Sequence, residues 1–285
     1  MIFDTHSHLN FPAFKNDWEE IIQKCLKEQI GIINIGSNFQ TSKRAIEIAE
    51  KFFDFPIYAT VGLHPLNLDT GLVKMKTDTF EGSFFEKEFD FENYKKLASF
   101  KKVVAIGEIG LDFYWRPKTT TKKKLFKQKQ KDLLLKQLII AKELNLPVIF
   151  HCRMAHRDLI NFLRENENLK PQKAVAHGFV GSLEELKEYL DFGFYIGFNG
   201  IIFKKIEGIN FEKNIKNTPL ERILIETDCP YLTPPQEKEK RNNPLFIQYV
   251  AEKIAEIKNL SLEKITEKTT QNARTLFGLN TSIKI

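Results

Sequence analysis

Val103-Val104-Ala105-Ile106-Gly107-Glu108-Ile109-Gly110-Leu111-Asp112 opens with four apolar residues in a row and then turns glycine-rich and acidic. An unbroken apolar run, rather than alternation, marks a strand covered on both faces, as in a parallel sheet under helices. Seven other short runs rich in β-branched and aromatic residues repeat the pattern: Ile2–Thr5, Gly31–Ile35, Ile57–Val61, Val148–Phe150, Ala174–Ala176, Phe194–Phe198 and Arg222–Thr227. Amphipathic segments at helical spacing lie between them. Trp18–Gln29 carries Ile21, Ile22, Cys25 and Leu26 on one side, and Leu125–Leu144 carries a broad leucine and isoleucine stripe. Ser182–Leu190 opens with a serine and has Glu185 three positions on, a capping-box pattern. Asn243-Pro244 begins a further helix through Ile257, and Ser261–Phe277 reads as a last pair of turns or helices ending at Gly278. Strand and helix alternating eight times predict an α/β chain closed into a (β/α)8 TIM barrel, with an open doubly wound sheet as the rival.

Two segments fall outside the repeat. Thr70–Phe91 reads as an inserted loop or short lid, and Pro234–Asn243 as a long loop after the last strand, on the side where barrels bind ligands. Composition narrows the class further. With 42% hydrophobic and 28% charged residues, the chain is neither disordered nor fibrous. No stretch approaches the roughly 18 apolar residues of a membrane span. No basic region precedes an apolar core at the N-terminus, so a cleaved signal peptide is not expected. Three cysteines without a CxxC pair favour a reducing, cytoplasmic setting. The net charge of +6 suits a polyanionic substrate without requiring one. Lysine fills six of the ten positions Lys122–Lys131, which is either a phosphate-attracting patch or the solvated face of a helix.

Five of the six histidines fall at or just past a strand's C-terminal end. His6 and His8 share a face because strand side chains alternate, so both can reach one metal ion. Glu108 follows the fourth strand, His151 ends the fifth, His177 ends the sixth, and Asp228 closes Glu226-Thr227-Asp228 after the eighth. All six are metal-ligand types, spread from residue 6 to residue 228. No finger or single helix spans such gaps, but the strand ends of one barrel do. Six donors exceed the four of a tetrahedral ion and suit two cations, about 3.5–4 Å apart, that lower the pKa of a shared water toward 7 and generate hydroxide. Glu108, in the middle of the set, can bridge with its two oxygens, and Asp228 is placed to orient the water or accept its proton. Four histidines favour zinc, manganese, cobalt or nickel over magnesium, although availability often decides.

The runs Asp4-Thr5-His6-Ser7-His8-Leu9, Gly62-Leu63-His64-Pro65, Gly107-Glu108-Ile109-Gly110-Leu111-Asp112 and Glu226-Thr227-Asp228-Cys229-Pro230-Tyr231-Leu232 resemble the TatD family of metal-dependent deoxyribonucleases. Arg241-Asn242-Asn243-Pro244 and Asn272-Ala273-Arg274-Thr275-Leu276-Phe277-Gly278 resemble its C-terminal signature. The likeness runs from residue 1 to about 279 and implies that residues 1–285 form a single amidohydrolase-like domain. It implies two divalent cations and hydrolysis of phosphodiester bonds in DNA, with 3′–5′ exonuclease action as one form and single strands or chain ends as substrate. By the same likeness His6 and His8 bind one ion with Asp228, Glu108 bridges, and His151 and His177 bind the second. His64 and Arg153 would face the substrate phosphate. His156, at a helix start, reads as structural, and Cys152 and Cys229 read as small buried residues rather than thiolate ligands. The sequence departs from the family pattern at Gly178-Phe179-Val180-Gly181 and at Cys229. Two other functions stay open at this point. One is a metal-dependent ester hydrolase such as a D-aminoacyl-tRNA deacylase; the other is a non-catalytic nucleic-acid binder using Lys122–Lys131. No membrane association and no obligate protein partner are expected.

Overall fold

The computed structural model describes residues 1–73, 78–82 and 85–279. Eight strands alternate with helices along the chain: β1 (Ile2–Ser7), α1 (Trp18–Lys27), β2 (Ile30–Asn34), α2 (Phe39–Lys51), β3 (Ile57–Val61), α3 (Phe91–Ala98), β4 (Val103–Asp112), α4 (Thr120–Glu143), β5 (Val148–Arg153), α5 (His156–Glu165), β6 (Ala174–Ala176), α6 (Leu183–Asp191), β7 (Tyr195–Phe198), α7 (Phe211–Asn217), β8 (Ile223–Ile225), α8 (Ile247–Lys258) and α9 (Leu262–Phe277). The sheet order follows the chain, β1 to β8, and every neighbouring pair is parallel. The residues just past β8 return to β1: the Asp228 amide donates to the His6 carbonyl at 2.8 Å, and the His8 amide donates to the Cys229 carbonyl at 2.9 Å. The sheet is thus a barrel, and the rival open sheet is set aside.

The two-residue period of each strand divides its apolar residues between two cores. Ile32, Val103, Val148, Ile196 and Ile223 pack outward against the helices. Phe3, Ile33, Tyr58, Val104, Ile149, Val175, Tyr195 and Leu224, one from each strand, meet in a second cluster with Leu276 and Phe277 at the end of α9. Contributions from all eight strands can meet only inside the barrel, so α9 stoppers the end opposite the strands' C-termini. The interior is full there: a Cβ on Gly31 would lie 2.3 Å from the Phe3 ring.

Several boundaries differ from the sequence expectations, for local reasons. β4 runs on to Asp112 and β5 to Arg153, because Gly110 pairs with His151 and Asp112 with Arg153. The Glu108 and His151 positions therefore lie within strands rather than after them. β8 stops at Ile225, with Arg222 in a preceding single turn, so Glu226-Thr227 fall outside the strand. α4 starts before Leu125 because the Thr119 side chain caps the Lys122 amide, and lysine is a good helix former. In place of a pair of turns or helices, Leu262–Phe277 forms one helix, capped by Ser261 and ending at Gly278 as the sequence suggested. The Ser182–Glu185 capping box is present. Part of the expected inserted loop Thr70–Phe91, residues 74–77 and 83–84, lies outside the described residues, and Phe91 belongs to α3. Among the described residues no helix is long and apolar enough to cross a membrane.

Replacing Gly31 with alanine should destabilise the fold by about 1–3 kcal/mol by overpacking the barrel interior against Phe3. Urea unfolding measures this, and adding Phe3→Leu should recover part of the loss.

Candidate metal centre

The six expected ligands converge on the C-terminal mouth of the barrel, several of them paired at i, i+2 or i, i+4 with a second polar residue on the same strand or turn. His6 and His8 come from β1 and its exit, Glu108 and Asp112 from β4, His151 and Arg153 from β5, Glu226 and Asp228 from the turn after β8. His8, Glu108, Asp112, His151, Arg153, His177 and Asp228 line one cavity of about 310 Å³. Glu108 is its centre. Its Oε1 lies 2.7 Å from His151 Nδ1, 3.6 Å from His64 Nε2 and 3.8 Å from His177 Nε2, while Oε2 lies 3.3 Å from His6 Nε2. Asp228 Oδ1 faces His8, His6 and His177 at 3.5, 3.8 and 3.8 Å. Three overlapping donor triads result: His6–His8–Asp228, His6–Glu108–His177 and His64–Glu108–His151.

Neighbouring groups decide which ring nitrogens are free to bind a metal. His8 Nδ1 donates to the Ile35 carbonyl at 3.2 Å, which leaves the Nε2 lone pair toward Asp228. His177 Nδ1 donates to Glu226 Oε2 at 2.8 Å, which leaves Nε2 toward Glu108 and Asp228. His64 is the reverse: its Nδ1 accepts from the Leu66 amide at 3.1 Å, so in the neutral ring the proton sits on Nε2, facing Glu108. Both nitrogens of His6 are buried with no hydrogen-bond partner among the described residues. A buried polar atom without a partner costs free energy, and a bound cation would remove that cost. The donor set therefore fits divalent metal.

The charges fit as well. Burial works against ionised Glu108, but His64, His6, His151 and His177 outweigh it and hold the carboxyl well below its usual range. Burial likewise opposes ionised Asp228, and His177 and His8 overcome it. Burial disfavours the imidazolium forms of His151 and His177. Even so, Asp112 and Glu108 hold His151 up to about 9, and Glu226, Asp228 and Glu108 hold His177 up to about 10. Burial, aided by His177, pushes His6 down, and burial, aided by His151, pushes His64 down to about 3. His6 and His177 stack with ring centroids 3.4 Å apart, which explains why they cannot both carry charge.

Sequence reasoning missed the carboxylates that hold these rings. Glu226 is 1% exposed and accepts from both His177 Nδ1 and the Gly178 amide. It fits only because Gly197 has no side chain, since a Cβ there would sit 2.0 Å from Glu226 Oε1. Asp112 accepts from His151 Nε2 at 2.9 Å. Asp4 is buried and accepts from the Thr227 amide at 2.9 Å and from the Thr227 hydroxyl, tying β1 to the turn that carries Asp228. A signal for Asp112 and Glu226 was present: each stands an even number of residues from an expected ligand on the same segment. Glu81 on the 78–82 segment accepts from Ser37 and from Asn67 Nδ2, and so fastens that segment over the cavity. His156 bonds Tyr189 and the Val180 carbonyl and belongs to no donor triad among the described residues, as its structural reading anticipated. The three cysteines are free, and none belongs to a donor triad among the described residues.

Metal binding at His151 and His177 would displace their protons. Both groups hold their protons beyond pH 7 in the metal-free site, so affinity should rise as pH climbs from 7 toward 9, with proton release on binding. Calorimetry in two buffers of different ionisation enthalpy counts those protons. Glu226→Gln should weaken metal affinity about 10- to 100-fold, because it loosens the ring orientation of His177.

A family model described as TatD related DNase matches residues 3–278. The chain is 38% identical over 282 residues to an uncharacterized metal-dependent hydrolase, YabD, of Bacillus subtilis, covering 98% of this chain and all of that protein. It is 33% identical to the 3'-5' ssDNA/RNA exonuclease TatD of Pantoea ananatis, over 98% of this chain and all of that protein. The crystal structure of YJJV, a TatD homologue from Escherichia coli, superposes with a TM-score of 0.79 at 29% identity over 98% of each chain. Whole-length matches of this kind, together with the motifs and the donor-lined mouth, place the chain in the TatD-related DNase family of metal-dependent hydrolases.

Proposed function

We propose that this protein hydrolyses phosphodiester bonds in DNA at single strands or chain ends, 3′–5′ exonuclease action included. Two divalent cations, zinc, manganese or magnesium, would be held by His6, His8, Glu108, His151, His177 and Asp228. The observation that carries the reading is Glu108, a buried carboxylate whose two oxygens face different sets of imidazoles. A bridging role needs that arrangement. In the assignment, His6, His8 and Asp228 serve one ion and His151 and His177 the other. The cations, when bound, supply a hydroxide at neutral pH and offset charge at phosphorus.

The chain's own groups do the rest. Asp228 stays ionised and is placed to take the proton of the attacking water. His64 presents an N–H from Nε2 to a phosphoryl oxygen, its other nitrogen being occupied by the Leu66 amide. Arg153 lines the same cavity and makes no ion pair among the described residues, which leaves its guanidinium for a phosphate. The name of the Pantoea relative supports nucleic acid as the substrate class. The free cysteines suit a cytoplasmic site of action, and nothing in the reading calls for a membrane or a protein partner.

Single-stranded DNA labelled at one end should be shortened with Mg2+, Mn2+ or Zn2+ present and left intact after chelation. Glu108→Ala and Asp228→Ala should each lower kcat by at least about a hundredfold. Arg153→Ala should raise KM more than it lowers kcat. Unchanged cleavage by the Glu108 variant sinks the reading, and faster cleavage of aminoacyl-tRNA than of DNA replaces it with ester hydrolysis.

A further inference from the structure

The lysine run at the start of α4 divides in two. Lys127 and Lys131 pair with Asp158 at 2.8 and 3.2 Å, and Lys129 donates to the Thr70 carbonyl at 2.9 Å, so that half holds the fold together. Lys122, Lys123 and Lys124 have no ion pair and no side-chain hydrogen bond among the described residues, and neither do Arg116 and Lys118 just before them. Unpaired cations thus follow one another along the chain immediately after Tyr114-Trp115.

One ring of that aromatic pair belongs to the cavity, and the other stacks on a residue that lines it. Trp115 lines it beside His151 and Arg153. Tyr114 is 47% exposed, stands edge-on to Trp115 with centroids 5.2 Å apart, and carries the Arg153 guanidinium 3.7 Å from its ring centroid. The pair is rooted in the ligand-bearing strands. The Tyr114 amide donates to Asp112 Oδ1 at 2.9 Å, and the Phe113 amide donates to the Arg153 carbonyl at 2.9 Å. Large aromatic side chains are ordinarily buried, so an exposed one beside a guanidinium at a cavity mouth offers a π-face to a ligand.

We propose that Trp115 and Tyr114 stack the nucleobases next to the scissile linkage, and that Arg116, Lys118 and Lys122–Lys124 grip the phosphates that follow. The proposal rests on reading the cavity as a phosphodiester-hydrolysing site. Stacking on these rings requires unpaired, splayed bases, because bases in a duplex already stack on one another. The strip therefore recognises a single-stranded stretch leading from the reacting phosphate, largely without regard to base sequence.

The metal-loaded full chain carrying Trp18→Phe leaves Trp115 as the sole tryptophan, since the sequence has two. It is titrated with oligothymidylate whose phosphorothioate linkages resist cleavage, and with a duplex of equal length. The single strand should quench Trp115 emission and the duplex should not. Trp115→Ala should weaken single-strand binding about 5- to 150-fold, while Trp115→Phe keeps most of it. Replacing Arg116, Lys118 and Lys122 together by alanine should flatten the dependence of log affinity on log salt by about 2. A protein that cleaves DNA, yet shows unmoved Trp115 emission and full binding by Trp115→Ala, overturns the platform and leaves the hydrolytic reading standing. Quenching by the single strand with no metal-dependent cleavage of ordinary DNA supports the platform and overturns the hydrolytic reading instead.

Discussion

A carboxylate buried among imidazoles is the constraint on which the rest of this structure depends. Glu108 is withdrawn from solvent at the barrel mouth, with His6, His64, His151 and His177 all within 4 Å of its oxygens. A lone buried carboxylate costs several kcal/mol and would take up a proton. Glu108 instead stays charged, because four imidazoles surround it, and two of them, His151 and His177, hold their protons. Those rings repel one another: the stack of His6 on His177 tolerates one charge and not two. The centre is therefore a balanced set of buried charges with lone pairs left over, and divalent cations complete such a set.

Holding it together is a matter of backbone. The ligands past β8 are tied to β1 by the bonds from Asp228 to His6 and from His8 to Cys229, and Asp4 clamps Thr227 from beneath. Asp228 adopts a left-handed backbone with φ of 56°, a conformation aspartate tolerates better than most residues. The same bonds that close the barrel thus aim the carboxylate. Glu226 and Asp112 fix the rings of His177 and His151 as carboxylate partners, which orients each ring and favours its charged form.

The mouth is asymmetric, and the asymmetry bears on substrate. One wall is the 78–82 segment, fastened by Glu81 to Ser37 and Asn67. The lining also includes Arg153 and Trp115, with Tyr114 packed against both and cations unpaired among the described residues following in the chain. The mouth thus combines a polar anchor with aromatic faces and positive charge.

Much of this was legible in the amino-acid sequence. The apolar runs located all eight strands, because a strand buried on both faces cannot hide its composition, and the six donors stood in or just past those strands. The motifs themselves pointed to the family. Residues acting through a partner distant in the chain were not legible. Nothing local marks Glu226 as the partner of His177, or Gly197 as the gap that admits it. The lysine run looked uniform until Asp158 and the Thr70 carbonyl claimed half of it. Periodicity and residue type determined which groups are present and on which face they stand. Which nitrogen is free, which charge is neutralised and which cation is left over were decided only in three dimensions, because hydrogen bonds and Coulomb forces act through space and are blind to chain order.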